Sequence, residues 1–251
     1  MTRHPFLSGP LPRVLAHRGL ATSAPENTLA AFQAAVDAGV TIVETDVHAT
    51  KDGVVVVAHD PDLQRVAGRA LTIEDLTLVE LQAVDLGQGQ TFPTLAEVLA
   101  AFPGIRFNID VKSAAAARLV GDVVHRADAA ERVLLTSFSE RRRRRALRDA
   151  PGVATSASAP LFAVALFAVV LGLTPLARLA LRRVQAVQIP PRAAGIDTAA
   201  PRVLRGLHRA GVEVHIWTVN DPRDMRRLLD AGVDGLVTDR ADLALEVVRT
   251  G

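Results

Sequence analysis

The residues whose types and spacing invite chemistry are His17 with Arg18, Glu44 with Asp46, His59, and Asp110 with Lys112. Glu44 and Asp46 stand two apart in TIVETDVH, a β-rich run, so their carboxylates share one side of a strand while Val43, Thr45 and Val47 take the other. Two carboxylates on one face repel unless a cation or a proton lies between them. Asp110 and Lys112 repeat the i, i+2 arrangement at the end of FNIDVK. Three acidic residues in a chain without cysteine make an oxygen cage, which suits Mg2+ or Ca2+ better than zinc or copper. Arg18 and Lys112 would bring positive charge to the same place, as an anionic phosphate demands. His17 and His59 supply two imidazoles that can divide acid and base roles near neutral pH.

These groups need elements that bring them together. Short β-rich runs alternate with helical patterns along the whole chain, the signature of βα units and a parallel sheet. Strands are expected at 13–17, 41–48, 54–59, 105–111, 132–137, 153–157, 185–189, 213–219 and 235–238. The link in HATKDGVVVV is a tight Asp-Gly turn, too short for a parallel crossover, so 54–59 must hairpin back antiparallel. Eight parallel strands remain, and the most economical fold is a TIM-like (β/α)8 barrel with one extra hairpin strand and a short insertion. Catalytic groups of such barrels sit at the C-terminal strand ends. His17, Arg18, Glu44, Asp46 and Asp110 pass that filter. A barrel interior is ordinarily filled with branched apolar residues, so a polar strand end without a task is the weaker reading of the carboxylate pair.

Asn27 or Thr28 is expected to cap the helix LAAFQAAVDAG, with Gly39 as its stop. The same grammar recurs in TLAEVLAAFPG and DPRDMRRLLDAGVDG. Residues 60–93 form the longest connection, with a short helix in TIEDLTLVELQAV, and make an excursion near the barrel mouth rather than a second domain. Residues 1–251 therefore read as a single domain. The run Arg141 to Arg145 follows the 132–137 strand and reads as a solvated helical face. His48 is in phase with Glu44 and Asp46 but is expected in the turn beyond them, solvated or lining the mouth. His215 reads as a packed interior residue, and Trp217 as either core or pocket lining. His4, His125 and His208 are taken as surface.

The 251 residues are 49% hydrophobic and 22% charged, which fits one large α/β domain. A net charge of +2 is too small to imply a nucleic-acid partner, although arginine lifts the pI to 9.8. Without cysteine there are no disulfides, thiolate catalysis or Cys-ligated metals. MTRHPFLSGPLPRVLAHRG lacks the apolar run of a signal peptide, which makes a cytoplasmic location the expectation. One segment pulls against it: between Asp149 and Arg178 there is no charge, and APLFAVALFAVVLGLTPLA, residues 159–177, lies inside. Its densest run is bracketed by Pro160 and Pro175 and is short for a membrane span, so an apolar barrel helix packed against the sheet is expected first, with an interfacial helix making peripheral membrane contact as the alternative.

Taken together, AHRG, PENT, ETDVHATKDGVVVVAHD, NIDVK, WTVN and VDGLVTD resemble the glycerophosphodiester phosphodiesterase family, in order, from about residue 13 to 247. The resemblance implies a (β/α)8 barrel that uses one divalent cation to hydrolyse small-molecule glycerophosphodiesters to glycerol 3-phosphate and an alcohol. It makes His17 and His59 the acid/base pair, sets Arg18 on the phosphate, and makes Glu44 and Asp46 metal ligands. Lys112 falls where the family has its active-site lysine, and Trp217 where a tryptophan lines the substrate pocket. Two departures stand out. Asp110 replaces the usual Glu before the Val-Lys pair, one methylene shorter, and TDRAD carries Arg240 and Ala241 where a proline is usual. The apolar segment admits a second reading, a lysophospholipase D-type phosphodiesterase acting on monoacylated lipids at a membrane surface. Two further readings are a non-catalytic phosphodiester-binding barrel and a metal-dependent enolate lyase. The joint presence of both histidines, Arg18, the carboxylate pair and Lys112 weighs against the first, and the second, which would also use carboxylates on three strands, needs neither both strand-end histidines nor Arg18.

Overall fold

The computed structural model describes residues 4–250. Met1, Thr2, Arg3 and Gly251 lie outside that range, and with them the first residues of the stretch read for a leader.

Eight parallel strands run in the order Ala154–Thr155, Val133–Thr136, Arg106–Val111, Ile42–Ala49, Arg13–His17, Gly235–Thr238, Glu213–Ile216, Ala186–Ile189. A parallel bridge from Ser156 to Ala186 joins the last strand back to the first, and so closes the barrel. The strand Val55–Val57 pairs antiparallel with 42–49, Val47 opposite Val57, as the short Asp-Gly link requires. The nine strands of this sheet fall where strands were expected and differ from them at their ends. The 213–219 run leaves the sheet after Ile216, where the Trp217 amide turns to the carbonyl of Ile189 and that of Val219 to Val237.

Alternation along each strand builds two cores. Outward side chains such as Val43, Val47, Phe107, Ile109 and Val214 are buried under the helices, where Phe32, Phe102 and Phe107 meet edge to face or tilted at 5.9–6.4 Å. Inside, Leu15, Ile42, Leu134, Ala154 and Val237 fill the lower barrel, and Phe6 and Leu7 plug it from below. At that floor Arg13 forms a bidentate pair with Glu213, at 2.7 and 2.9 Å, and Glu213 also meets buried His215 at 3.1 Å. His215 is thus the packed interior histidine its phase predicts.

The excursion after Ala58 has its own small core of Val56, Leu63, Ile73, Leu81, Val84 and Phe92. It holds a two-stranded ribbon, 62–63 with 69–72, and the helix Leu78–Gln82 capped by Thr77. A second ribbon, 192–193 with 196–197, follows the Ala186–Ile189 strand and has no counterpart in the sequence reading.

One open alternative is settled and two expectations need correction. Thr28, not Asn27, caps helix Leu29–Asp37, its hydroxyl accepting from the Ala31 amide at 3.2 Å. His48 is neither solvated nor lining the mouth: strand 42–49 extends past it, and the buried ring donates Nε2–H to the His59 carbonyl at 3.2 Å. The Arg141–Arg145 face is not wholly solvated. Arg143 turns inward at 6% exposure, forked onto Glu140 at 2.8 and 2.9 Å, because the Ser139-capped helix Glu140–Arg148 packs that face against the barrel. Among the described residues no helix is long and apolar enough to cross a membrane.

Candidate active site

The C-terminal ends of the strands open on a cavity of about 300 Å³ lined by His17, Arg18, Glu44, Asp46, His59, Asp110, Lys112 and Trp217, together with Phe138 and Phe162. Every residue singled out from the sequence for chemistry reaches this one cavity. Register explains why: His17 pairs with Glu44 across neighbouring strands, and Asp46 with Asp110.

His17 ends its strand, and the chain must turn at once. Arg18 takes a left-handed φ of 57° and Gly19 one of 87°. A Cβ on Gly19 would stand 2.7 Å from the backbone of Ala31, so only glycine fits the turn against the first helix. The turn is pinned by the Arg18 amide on the Glu44 carbonyl at 2.9 Å and by the Asn27 amide on the Arg18 carbonyl at 2.9 Å.

Both histidines are oriented by carboxylates. His17 Nδ1 lies 2.6 Å from Asp239 Oδ1, and Asn220 holds the other Asp239 oxygen at 2.7 Å. His59 Nδ1 lies 2.7 Å from Asp60 Oδ1. A carboxylate only accepts, so each Nδ1 carries the proton and each Nε2 is left to act. Burial alone would lower the His17 pKa, but the Asp239 hydrogen bond and the charge of Glu44 outweigh it and hold it above the ordinary histidine value.

The two halves of the rim are linked by charge. Asp60 accepts from Arg65 Nε at 2.5 Å, Arg65 reaches Glu26 at 2.6 Å, and Glu26 accepts from Arg18 at 3.0 Å. Asn27 is a brace: its amide donates to Asp46 at 3.2 Å while its carbonyl accepts from Thr45 at 2.7 Å.

Among the carboxylates, Lys112 Nζ lies 2.9 Å from Asp46 and 2.7 Å from Asp110, and Arg18 Nε lies 3.3 Å from Asp46. That positive charge does not balance the cluster. Burial, and then the charge of Asp46, push Glu44 up to about 8, and burial raises Asp110 despite Lys112 beside it. Asp110 Oδ1 and Asn108 Oδ1 are buried without a hydrogen-bond partner. Orphaned oxygens amid uncompensated negative charge have the donor chemistry of a hard divalent cation such as Mg2+ or Ca2+. As placed, no three His, Cys, Asp or Glu among the described residues converge on a single metal position, and the Lys112 ammonium lies between Asp46 and Asp110.

The opposite wall is apolar. Trp217 and Phe138 meet edge to face at 5.8 Å, Lys112 lies 5.7 Å above the Phe138 ring, and Phe162, Ile189 and Pro190 continue the surface. Sequence reasoning passed over Asp239, Asp60, Glu26, Arg65 and Phe138. Asp239 and Asp60 had a signal, since one follows the last strand directly and the other follows His59. Near the C-terminus, Ala241 is the first residue of helix Ala241–Arg249, a position where proline is well tolerated.

The chain matches the glycerophosphoryl diester phosphodiesterase family over residues 17–243. It is 43% identical over 236 residues to a Mycobacterium tuberculosis protein named "Probable glycerophosphodiester phosphodiesterase 2", covering 93% of this chain and 89% of the relative. A Homo sapiens lysophospholipase D is 28% identical, with 91% and 83% covered. Among solved structures, a Thermotoga maritima glycerophosphodiester phosphodiesterase superimposes with a TM-score of 0.73 at 29% identity over 96% of this chain and 99% of that one. With its strand-end histidines and carboxylates in register on a closed barrel, the chain belongs to the glycerophosphoryl diester phosphodiesterase family.

Proposed function

We propose that this phosphodiester hydrolase cleaves glycerophosphodiesters to glycerol 3-phosphate and an alcohol, with His17 and His59 sharing acid and base work beside one divalent cation, Mg2+ or Ca2+. The observation that carries the reading is the pairing of each imidazole Nδ1 with an aspartate, Asp239 for His17 and Asp60 for His59, on the rim of one cavity. One Nε2 takes the proton of the attacking hydroxyl and the other returns a proton to the leaving alcohol oxygen; attack by water gives glycerol 3-phosphate directly, whereas attack by the glycerol hydroxyl gives a cyclic phosphate that a water then opens with the two imidazole roles exchanged. Arg18 and Lys112 hold the nonbridging oxygens, with Lys112 exchanging its carboxylate partners for phosphate. Glu44, Asp46 and Asp110 would hold the cation, which supplies Lewis-acid neutralisation of phosphate charge. Asp110, one methylene shorter than the family's glutamate, would reach it less closely or through water.

A second reading keeps this chemistry and admits a monoacylated substrate. It rests on the Phe138–Trp217 wall and its continuation through Phe162, an apolar surface that a deacylated glycerophosphodiester leaves uncovered. Choline release from glycerophosphocholine and from lysophosphatidylcholine, in parallel with Mg2+ or Ca2+, tests both. Turnover of the first supports the main reading, a higher kcat/KM on the second favours the other, and release from neither contradicts both.

A further inference from the structure

The uncharged segment folds as two helices, Ala159–Val170 and Thr174–Leu181, packed on each other and on helix Pro201–Ala210. The fit is close: a Cβ on Gly206 would stand 2.3 Å from a methyl of Val169, so the hairpin is seated firmly on its neighbour. Half of its apolar residues complete the barrel's outer core, among them Ala165, Leu166, Ala168, Val169, Ala177 and Leu181. The other half face water. Val164, Phe167, Leu171, Leu173, Leu176 and Leu179 are 39–63% exposed and make up six of the eleven large apolar side chains exposed among the described residues. Val164, Phe167 and Leu171 follow i, i+3, i+7 spacing and form one continuous stripe.

Charge in the sequence that builds this surface is one-sided. From residue 150 to 212 the chain has seven arginines and one acid, Asp197, against a whole-chain net charge of +2. Arg178 donates to the Arg209 carbonyl at 2.8 Å and Arg202 to the Val170 carbonyl, so these cations sit at the edge of the apolar strip. Exposed Arg182 and Arg183 close the second helix.

We infer that the 159–181 hairpin and its arginine border dock on an anionic phospholipid surface, lying in the interface rather than crossing it. An apolar helical face flanked by arginines is the composition that binds at the headgroup boundary of anionic bilayers. Neither helix can span a bilayer. A second copy of the chain fits the surface poorly, because self-pairing would set arginine against arginine with only Asp197 in residues 150–212 of each copy to offset them. Ala159 and Phe162, at the start of the first helix, line the active cavity, so Phe167 and Leu171 stand roughly 10–20 Å from the mouth at helical rise. Docking would keep the cavity near the lipid surface.

The inference does not depend on which diester is cleaved, and vesicle binding reads it without turnover. The full chain, Phe167→Ser/Leu171→Ser and Arg182→Glu/Arg183→Glu are each sedimented with vesicles of phosphatidylcholine alone and of phosphatidylcholine with phosphatidylglycerol. Unfolding curves and hydrolysis of a soluble diester check that the variants fold. The native chain is expected to partition onto the anionic vesicles alone, and each double variant to lose at least about tenfold of that partitioning. Failure to bind, or binding indifferent to lipid charge and to both substitutions, would overturn the inference. So would a concentration-dependent dimer that the Phe167→Ser/Leu171→Ser change alone dissociates.

Discussion

The Nδ1 of His17 is bound to Asp239 at 2.6 Å, across 222 residues of sequence, and Asn220 anchors the far oxygen of that aspartate. First and last barrel strands are neighbours, which brings His17 and Asp239 to the same rim. The aspartate fixes the tautomer and raises the pKa of the imidazole. Asp239→Asn should lower kcat by roughly 10- to 100-fold, within the range of general acid-base contributions. It should also move the pH-rate limb belonging to His17 to lower pH, whichever role the histidine plays. A purely structural aspartate would leave that limb in place.

Glu44 links pH to the cation. Its folded pKa, about 8, stands above the ordinary carboxylate value because of burial and then the charge of Asp46. The metal-free folded state therefore holds a proton that the unfolded chain releases near pH 4.5. Stability from this group is full below that pH and is lost as pH rises through about 8. Thermal unfolding of metal-free protein should show that decline, Mg2+ or Ca2+ should flatten it, and calorimetry at pH 7 should detect proton release on cation binding. A pH-independent melting temperature without metal, between pH 5 and 8, would argue against a buried, uncompensated Glu44.

The barrel floor should answer differently. Arg13 is almost wholly buried and depends on Glu213, whose carboxyl is held down at about 2 by the Arg13 and His215 hydrogen bonds despite burial. Its contribution is full above about pH 4.5 and fades as pH falls toward 2. Glu213→Ala leaves a buried cation without its partner and should cost about 3 kcal/mol at neutral pH. kcat should hold, because the pair lies at the opposite end of the strands from the cavity. A loss of turnover without a drop in melting temperature would contradict this division.

Phe138, at the apolar wall, separates the two substrate readings. Phe138→Ala removes the ring that meets Trp217 edge to face at 5.8 Å. If acyl chains use that wall, kcat/KM for lysophosphatidylcholine should fall roughly tenfold more than for glycerophosphocholine, the scale of one buried aromatic side chain. Equal losses would confine the ring to shaping the phosphate site through Lys112.

Local rules made much of this legible. Period-2 alternation put Glu44 and Asp46 on one face, the short Asp-Gly link forced the antiparallel strand, and the strand-end filter selected His17, Arg18 and Asp110. What stayed hidden depends on partners remote in sequence. Asn27 reads as a helix cap, yet its left-handed backbone, φ 58°, releases the cap to Thr28 and frees its side chain to brace Asp46. His48 reads as a turn residue, but pairing with Val56 extends the strand around it. The Asp60–Arg65–Glu26–Arg18 chain joins a loop to an excursion, and no periodicity foretells it. Arg143 was concealed in a charge run whose buried face only the packed helix reveals.

Release of glycerol 3-phosphate from glycerophosphocholine by the metal-loaded protein, compared with His17→Ala and with His59→Ala, tests the central claim most directly. The account predicts product and choline in equal amounts from the native chain, at least about a 100-fold loss of kcat in each variant, and unchanged thermal unfolding apart from small shifts. Native-like turnover in either folded variant, or no product from the native chain with Mg2+ or Ca2+, would contradict it.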